Sequence, residues 1–477
     1  MAPAFETAET GAALPVAGTD LFGHPRGLTY IAATEMWERF SFYGMQALLM
    51  LYMTGHLLQP GVVEHVWGFA GLRAGLEAVT GPLTSQALAA QLFGIYVALV
   101  YFGPIVGGLI GDRVTGRTRA VLLGGGLLAC GHFLMAIEQA FLPALGAIIA
   151  GAGLLKGNLA AQVGALYAEG DRRHDDGYTL YVTSVAVGAF LAPLVCGTLG
   201  ELYGWHYGFT AAGFGMLLGI AIYLRGMRYL REPAGDRGGV AKVPLTADEW
   251  RTVLALSVLI LITASFWTVQ SQIWNTYPVW VRDHVDLGIG FGLHVPVTWF
   301  QSLDAVTVLV LAPVLMRYWR VRARRGGEPG ELAKLALGCS IFGLGCVLLS
   351  LGQWSAGAGR VAIVWPVLFH FVIGLGYLLF APVALALVAR VAPVQVRSMM
   401  VGGYYIGLFI AGIFAGWLGR FYEPLQPPAF WLLHAGIGVG GTICIGLLYR
   451  PFSRRFGDAH PEAAARAVAG AARLGNA

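Results

Sequence analysis

Long apolar runs separated by short polar loops are the feature of this sequence that most restricts its fold. Twelve such runs are each about 20 residues or longer, the length at which an α-helix crosses the hydrocarbon core of a bilayer. Hydrophobic residues account for 57% of the 477 residues and charged residues for 12%, whereas a soluble domain contains about 25% charged residues. The sequence therefore predicts an all-α membrane protein and argues against a soluble enzyme.

The twelve runs form two groups of six, separated by the stretch 230–249. The predicted spans are 27–54, 87–111, 119–138, 142–168, 177–200 and 207–229, followed by 250–276, 296–318, 332–352, 361–389, 398–419 and 428–449. Two groups of spans are typical of a transporter built from two bundles. The predicted organisation is an N-terminal tail (1–26), a six-helix bundle (27–229), a linker (230–249), a second six-helix bundle (250–449) and a C-terminal tail (450–477).

Basic residues are distributed unevenly between the two sides of the predicted membrane. Of the 31 arginines and lysines, 25 fall in the tails, in the loops after even-numbered spans or at the span ends that adjoin these loops, and four fall in the opposite loops. Because basic loops stay in the cytoplasm, both termini are predicted to be cytoplasmic, in a multi-pass protein of the inner (plasma) membrane. The basic loops are expected to contact anionic lipid, and nothing in them indicates nucleic-acid binding. No cleavable signal is predicted at the N-terminus.

The first span contains three charged residues within about one helical turn, Glu35, Glu38 and Arg39. A charge near mid-membrane costs at least about 2.5 to 3.5 kcal/mol, so it usually faces a partner or water. Pairing with Lys156 of the fourth span would balance the cluster at two positive and two negative charges. An acid in such a cluster can exchange protonation for pairing with Lys156 or with a substrate carboxylate, as a proton-coupled carrier requires. The alternative is a static charge cluster that packs spans 1 and 4 together.

The second half has one strong candidate, Asp304, an acid in an apolar span without a basic neighbour in sequence. It is interpreted as a second proton site, and the alternatives are a hydrated cavity-lining acid or a protonated hydrogen-bond donor. His132 and His370 are interpreted as hydrogen-bonded core residues. Aromatic residues in the spans either line a polar cavity or pack, and their positions alone do not separate the two interpretations.

Patterns typical of catalytic or metal sites are missing from the sequence. HEXXH, GxSxG and GxxxxGK[ST] do not occur, and the five cysteines lie singly in apolar stretches without metal-ligand spacing. We therefore predict that the protein is not an enzyme and that it uses no cofactor, with the proton gradient as its energy source.

Motifs in the first and fourth spans resemble those of the proton-coupled oligopeptide transporter (POT/PTR) family. EMWERFSFYGM is similar to the family pattern ExxERFxYYG, with matches at Glu35, Glu38, Arg39, Phe40, Tyr43 and Gly44. Phe42 replaces the first tyrosine of that pattern. GAGLLKGNLAAQVGALY matches the fourth-span pattern through Lys156 and Asn158, with Gly157 where proline is usual.

Further similarities extend the resemblance over nearly the whole chain. GGLIGDRVTGRTR resembles the loop between spans 2 and 3 of the major facilitator superfamily, which implies a cytoplasmic gate formed by Asp112, Arg113 and Arg117. LYGWHYGF, the FW pair of span 7, WFQS and LVARVAPVQVRSMMVG also match the family. The resemblance implies a major facilitator fold with twelve transmembrane helices in two six-helix bundles. The linker 230–249 is too short for an extra helix pair.

The resemblance also implies roles for individual residues in alternating access driven by protons. The implied proton-coupling residues are Glu35, Glu38 and Lys156, with Asp304 added from its position in span 8. The predicted substrate-binding residues are Arg39, Tyr43, Tyr96, Tyr101, Lys156, Asn158, Trp267, Gln301, Tyr377 and Tyr404. Among these, Arg39, Lys156, Tyr43 and Tyr101 are expected to receive the carboxylate end of a peptide.

Three positions depart from the family at the opposite end of the implied pocket. Ala186, Ser271 and Tyr377 stand where the family holds the peptide's amino end with an asparagine and two acids. Asp304 stands where asparagine is usual, which suggests that one acid has been relocated. We predict a symporter of di- or tripeptides or peptide-like small carboxylates. The alternative is a carrier of a non-peptide solute, such as a modified peptide, an anion or a drug. Substrate, protons and membrane lipid are the expected partners, and a monomer is the expected state.

Overall fold

The computed structural model describes residues 23–168, 171–230 and 244–457, which form sixteen α-helices and no β-strand. The helices are α1 (Arg26–Tyr52), α2 (Phe69–Thr80), α3 (Ser85–Ile110), α4 (Arg117–Leu134), α5 (Phe141–Ala165), α6 (His174–Ala192), α7 (Thr198–Tyr203), α8 (Trp205–Gly226), α9 (Ala247–Ser271), α10 (Thr276–His284), α11 (Trp299–Arg324), α12 (Glu331–Ala356), α13 (Val364–Val391), α14 (Arg397–Leu418), α15 (Pro427–Leu447) and α16 (Tyr449–Phe456). The predicted tails 1–26 and 450–477 and the linker 230–249 lie largely outside the described residues.

Ten helices of the described chain are long and apolar enough to cross a membrane. A helix suits this environment because it satisfies all of its backbone hydrogen bonds internally. Helices α1 and α4 occupy the places of the two remaining predicted spans but carry charged residues, Glu35, Glu38 and Arg39 in α1 and Arg117 and Arg119 in α4. The all-helical membrane fold is thus confirmed, while the count of twelve spans stays a prediction.

Three of the long helices continue into a π-helical segment at one end. These segments are Met53–Leu57 after α1, Gly111–Thr115 after α3 and Pro193–Gly197 between α6 and α7. Pro193 has no N–H to donate to the preceding turn, and its ring crowds that turn. A local widening of the helix accommodates both effects, so α6 passes through the segment and continues as α7.

Helix α2 was not among the predicted elements. Its 12 residues are too few for a span, and glycines with positive φ, Gly68 and Gly81, precede and follow it. Arg73 and Glu77, one turn apart, form an ion pair of 3.0 Å on this helix. The hydrogen bond that Arg73 donates to the Glu77 side chain is the main reason that the pKa of this carboxyl is lowered.

Helices from the regions 27–229 and 250–449, called here the two halves, meet through small residues. A Cβ atom on Gly94 of α3 would lie 2.5 Å from the carbonyl oxygen of Gly412 and 2.6 Å from Cα of Gly416, both in α14. A Cβ atom on Gly197 would lie 2.0 Å from Oγ1 of Thr298, next to α11. A larger residue is excluded at Gly94 because the two backbones approach closely, and it is crowded at Gly197 by the side chain of Thr298.

Candidate functional site

A cavity of about 490 Å³ lies between the two halves. Helices α1, α3 and α6 line it on one side, and α9, α11, α13 and α14 line it on the other. The lining includes seven of the predicted site residues, Tyr43, Tyr101, Trp267, Gln301, Asp304, Tyr377 and Tyr404. The structure therefore brings together side chains that are up to 361 residues apart in sequence. Apolar walls with a few polar groups are typical of a small-molecule site.

Glu35, Glu38 and Arg39 form a buried charge cluster on α1. Arg39 Nε lies 2.7 Å from Oε1 of Glu35 and 2.9 Å from Oε2 of Glu38. The side chains of Glu35 and Glu38 are 2% and 0% exposed. Oε1 of Glu38 has no hydrogen-bond partner among the described residues. The three side chains lie within about one helical turn of one another, as their spacing in the sequence predicts.

Lys156 does not form the ion pair with these acids that the sequence analysis expected. Its Nζ lies 3.8 Å from the ring centroid of Phe42, and the described residues place no carboxylate oxygen within 4.0 Å of it. Arg39 lies on the same helix as both acids and pairs with both of them. The lysine on α5 therefore contacts an aromatic ring instead. The lysine remains next to the cavity, since Nζ is 5.9 Å from the ring centroid of Tyr101, a lining residue.

Asp304 lines the opposite side of the cavity on α11. The structure shows no ion pair and no side-chain hydrogen bond for this carboxylate among the described residues, although its backbone oxygen accepts from Thr307. Ala186, Ser271 and Tyr377 line the same cavity. Asp304 thus lines the same cavity as all three positions at which the sequence departs from the family pattern.

Two aromatic side chains link the walls formed by the second half. Trp267 on α9 donates a hydrogen bond from Nε1 to the hydroxyl of Tyr404 on α14, at 3.2 Å. The rings of Trp267 and Tyr377 meet edge to face, with centroids 6.2 Å apart. Gln301 on α11 donates to the carbonyl oxygen of Ile273 at 3.5 Å. These contacts fix the orientation of the cavity wall.

Four predicted substrate-binding residues lie outside the cavity lining: Arg39 and Lys156, described above, and Tyr96 and Asn158, which lie in helix contacts. Tyr96 is 1% exposed and stacks on Phe42 with ring centroids 6.4 Å apart. Asn158 donates hydrogen bonds to the carbonyl oxygens of Gly107 and Leu154, at 3.0 and 2.8 Å. The side chain of Asn158 therefore joins α5 to α3, and the structure places it in helix packing.

The predicted gating residues lie between α3 and α4. Arg117 Nε lies 2.9 Å from Oδ1 of Asp112, so the pair bridges the π-helical segment and the start of α4. Arg113 is exposed. Both members of the ion pair belong to the same half.

Glu201 on α7 is a site residue that the sequence analysis missed. Its carboxylate accepts hydrogen bonds from the backbone N–H of Val297, at 2.9 Å, and from the N–H and hydroxyl of Thr298, at 2.9 and 2.7 Å. These donors belong to the other half, directly before α11. No sequence signal could have found the contact, because two of the three donors are backbone amides and lie about a hundred positions away.

Further contacts between the halves lie at the same end of the molecule, called here the sealed end. Trp299 donates to the hydroxyl of Thr198 at 2.8 Å, and Arg282 donates to the hydroxyl of Thr54 at 3.0 Å. Towards the opposite end, Val182 on α6 lines the cavity and is 61% exposed. The contacts between the halves therefore lie at the sealed end, and the cavity lining includes an exposed residue towards the opposite end.

The two histidines considered in the sequence analysis, His132 and His370, have different environments. Nε2 of His370 lies 3.1 Å from the hydroxyl of Tyr277, which confirms the predicted hydrogen-bonded core residue. His132 is fully buried, and neither ring nitrogen has a partner among the described residues. The hydrogen bond predicted for His132 is therefore absent from the structure. No group of histidine, cysteine, aspartate and glutamate side chains suited to a metal ion occurs in the described part of the chain.

Comparison with known proteins supports the identification of the family. The sequence profile of the POT family matches residues 118–244 and 239–425. A di-/tripeptide transporter of Lactococcus lactis subsp. cremoris is 28% identical over 92% of this chain and 97% of its own. A peptide transporter of Yersinia enterocolitica subsp. palearctica is 27% identical over 90% of this chain and 94% of its own.

Solved structures show the same fold. The crystal structure of a POT peptide transporter with sulfate has a TM-score of 0.80 and 28% identity, covering 92% of this chain and 98% of that chain. A POT peptide transporter in complex with alafosfalin has a TM-score of 0.79 and 29% identity, covering 91% and 96% of the two chains. The motifs of the first and fourth spans, the helical fold and the profile match agree, and the chain belongs to the POT family.

Proposed function

We propose that the protein is a proton-coupled symporter that imports di- or tripeptides by alternating access. The observation that carries this proposal is the distribution of charge around one cavity. Lys156 lies next to one side of it, Arg39 is one helical turn from the lining residue Tyr43 on that side, and Asp304 lines the other side. A peptide in its usual zwitterionic form presents a carboxylate and an ammonium group, which complement these two sides. The named functions of the relatives from Lactococcus and Yersinia support the same substrate class.

Each side of the cavity has a separate role in binding. We assign the carboxylate end of the peptide to Arg39 and Lys156, assisted by the hydroxyl groups of Tyr43 and Tyr101. We assign the amino end to Asp304, which takes over from the family residues replaced by alanine, serine and tyrosine. The remaining lining residues that the sequence predicted, Trp267, Gln301, Tyr377 and Tyr404, contact the peptide between its two ends.

Proton coupling follows from competition within the charge cluster. Glu35 and Glu38 share Arg39, and Oε1 of Glu38 has no hydrogen-bond partner among the described residues. A proton on either acid weakens its hold on Arg39, so the guanidinium group becomes available to a substrate carboxylate. Binding of the proton and of the peptide are linked in this way, and the linkage is reciprocal.

The proposed orientation places the sealed end outside the cell and both termini in the cytoplasm. The excess of basic residues in the loops on the terminal side supports this orientation. The described conformation is then open to the cytoplasm, with Asp112, Arg113 and Arg117 at the open side. We further propose twelve spans in two bundles, 27–229 and 250–449, in a protein that acts as a monomer without a cofactor.

The alternative of a non-peptide carrier is not favoured by the comparisons, because the relatives are peptide transporters. The decisive experiment is uptake of labelled dialanine by purified protein in liposomes, with and without an inward proton gradient. We expect uptake to be driven by the gradient and inhibited by unlabelled dialanine but not by N-acetyl-dialanine, which lacks the ammonium group. Folded protein that transports no dialanine under either condition would refute the proposal.

A further inference from the structure

Phe42 lies between the two cations of the site. Its ring centroid is 3.8 Å from Nζ of Lys156 and 5.8 Å from the guanidinium carbon of Arg39. The residue is 3% exposed, and its ring stacks on Tyr96. It also meets the ring of Tyr43 edge to face, with centroids 5.2 Å apart. Neighbours on α1 and α3 therefore fix a ring that faces a lysine on α5.

The lysine depends on this ring because the acids of the cluster are already engaged. Arg39 Nε lies within 2.9 Å of an oxygen from Glu35 and of one from Glu38. An ammonium ion removed from water is attracted to the negative face of an aromatic ring, and this attraction strengthens where water is excluded. Unlike a carboxylate, a ring carries no net charge. Lys156 is therefore not paired with a carboxylate and stays available to another anion.

We propose that Phe42 is a positioning residue for substrate binding. Its ring holds the ammonium group of Lys156 beside the cavity and leaves the charge available to a substrate carboxylate. The identity of that anion rests on the proposed function, whereas the position of the lysine does not. Tyr101 lines the cavity and has its ring centroid 5.9 Å from the same Nζ, so it adjoins both the lysine and the substrate.

Nuclear magnetic resonance tests the position of the lysine without any transport measurement. The chain contains three lysines, Lys156, Lys242 and Lys334, so labelling with ¹³C-lysine gives three Cε signals. An ε-methylene group held over a ring face is shifted upfield by the ring current. We expect an upfield signal that Lys156→Arg removes, that Phe42→Tyr retains and that Phe42→Leu returns to the ordinary lysine position. The Lys334 signal should not respond to the changes at position 42.

Transport kinetics test the role of the ring. We expect Phe42→Leu to raise the KM for dialanine about fivefold with a much smaller effect on the maximal rate, and Phe42→Tyr to restore the KM. Phe42→Met, which fills the volume without a ring face, should behave like Phe42→Leu and replaces it if leucine prevents folding. Phe209→Leu is the matched control, since Phe209 is 0% exposed in the same half and packs edge to face on Tyr52.

Three results would overturn the proposal, two at the site and one in the control variant. One is a Lys156 signal at the ordinary lysine position in the unmodified protein. The other is an unchanged KM in a Phe42 variant that has lost the upfield shift. A KM that rises equally in Phe209→Leu would also count against it, because a general packing defect would then explain the effect. If the unmodified protein does not transport dialanine, the proposed function fails, and the lysine signals still decide whether the ring positions Lys156.

Discussion

The carboxylate of Glu201 accepts hydrogen bonds from both the backbone N–H and the hydroxyl of Thr298, at 2.9 and 2.7 Å. Glu201 belongs to α7 and Thr298 directly precedes α11, so the contact joins the two halves of the protein. A carboxylate at the start of a helix is favoured there by unpaired N–H groups and by the helix dipole. The contact must break whenever the sealed end opens.

Glu201→Gln is expected to favour opening of the sealed end. An amide keeps one acceptor oxygen but loses the charge that strengthens the hydrogen bonds, a loss of about 1.5 kcal/mol that shifts the equilibrium roughly tenfold. The measurement is labelling of Gln46→Cys, a cavity-lining position, by an impermeant maleimide added from the sealed side, with Cys130 and Cys444 changed to serine. Glu138→Gln is the control, because Glu138 pairs with His56 inside one half. Equal labelling in the Glu201 and Glu138 variants would contradict the role of Glu201.

Gly94→Ala is expected to prevent tight closure of the sealed end. The new Cβ atom would lie 2.5 to 2.7 Å from backbone atoms of α14, which cannot move aside as a side chain can. The two halves must separate locally, so the same labelling assay should report greater access. Gly436→Ala is the control, since its Cβ atom would meet nothing within 4 Å and alanine favours the helix by up to about 1 kcal/mol. Normal closure of Gly94→Ala would show that the helices approach less closely than described.

Asp304→Asn is expected to impair dialanine uptake and to change its pH dependence. The substitution removes the negative charge facing the amino end of a peptide and removes a group that can bind a proton. Uptake should be measured between about pH 5 and 8, the range in which proteins tend to be most stable. An uptake rate and pH profile equal to those of the unmodified protein would remove Asp304 from the mechanism.

Asp171→Asn serves as the control for this pH profile. Hydrogen bonds from the Arg173 side chain lower the pKa of Asp171 to about 2. The stabilisation from this pair is complete above the ordinary aspartate pKa and is lost only as the pH falls through about 2. Asp171 is therefore ionised throughout the assay, and its substitution should leave the profile unchanged.

Glu38→Gln is expected to separate peptide binding from proton coupling. The glutamine cannot exchange a proton, so uptake driven by the proton gradient should be lost. Exchange of labelled for unlabelled dialanine at equal concentrations needs no net proton movement and should persist. Glu77→Gln, on the exposed helix α2, is the matched control and should retain both activities. Gradient-driven uptake that survives in Glu38→Gln would exclude Glu38 as the coupling residue.

The helices and the charge cluster of α1 could be predicted because their signals are local. Apolar runs located the long helices to within a few residues, and the spacing of Glu35 and Arg39 predicted that they lie within one turn, where the structure shows an ion pair. The side chain that contacts Lys156 could not be predicted, because it depends on which residue of α1 lies closest to α5 in the folded protein. Tyr96 and Asn158 are predicted to bind substrate, but their side chains lie in helix contacts. Helical spacing does not distinguish these contacts from the cavity.

Short elements and backbone contacts were the parts that the sequence did not reveal. Helix α2 is too short to register as a span, and its ends are defined by the conformations of Gly68 and Gly81. Glu201 resembles an ordinary interfacial acid in sequence. Its importance comes from N–H groups that every residue except proline possesses, so residue identity carries no information about the contact.

The π-helical segment Pro193–Gly197 sets the direction in which the side chains of α7 point around the helix axis. One extra residue in a turn advances the subsequent side chains by about 100° around the helix axis relative to an unbroken α-helix. The face that α7 presents to α11, including Thr198 and Glu201, therefore depends on this insertion as much as on residue identity. Deleting a single residue within 193–196 would leave Thr198 and Glu201 in the chain and still turn Glu201 away from Thr298.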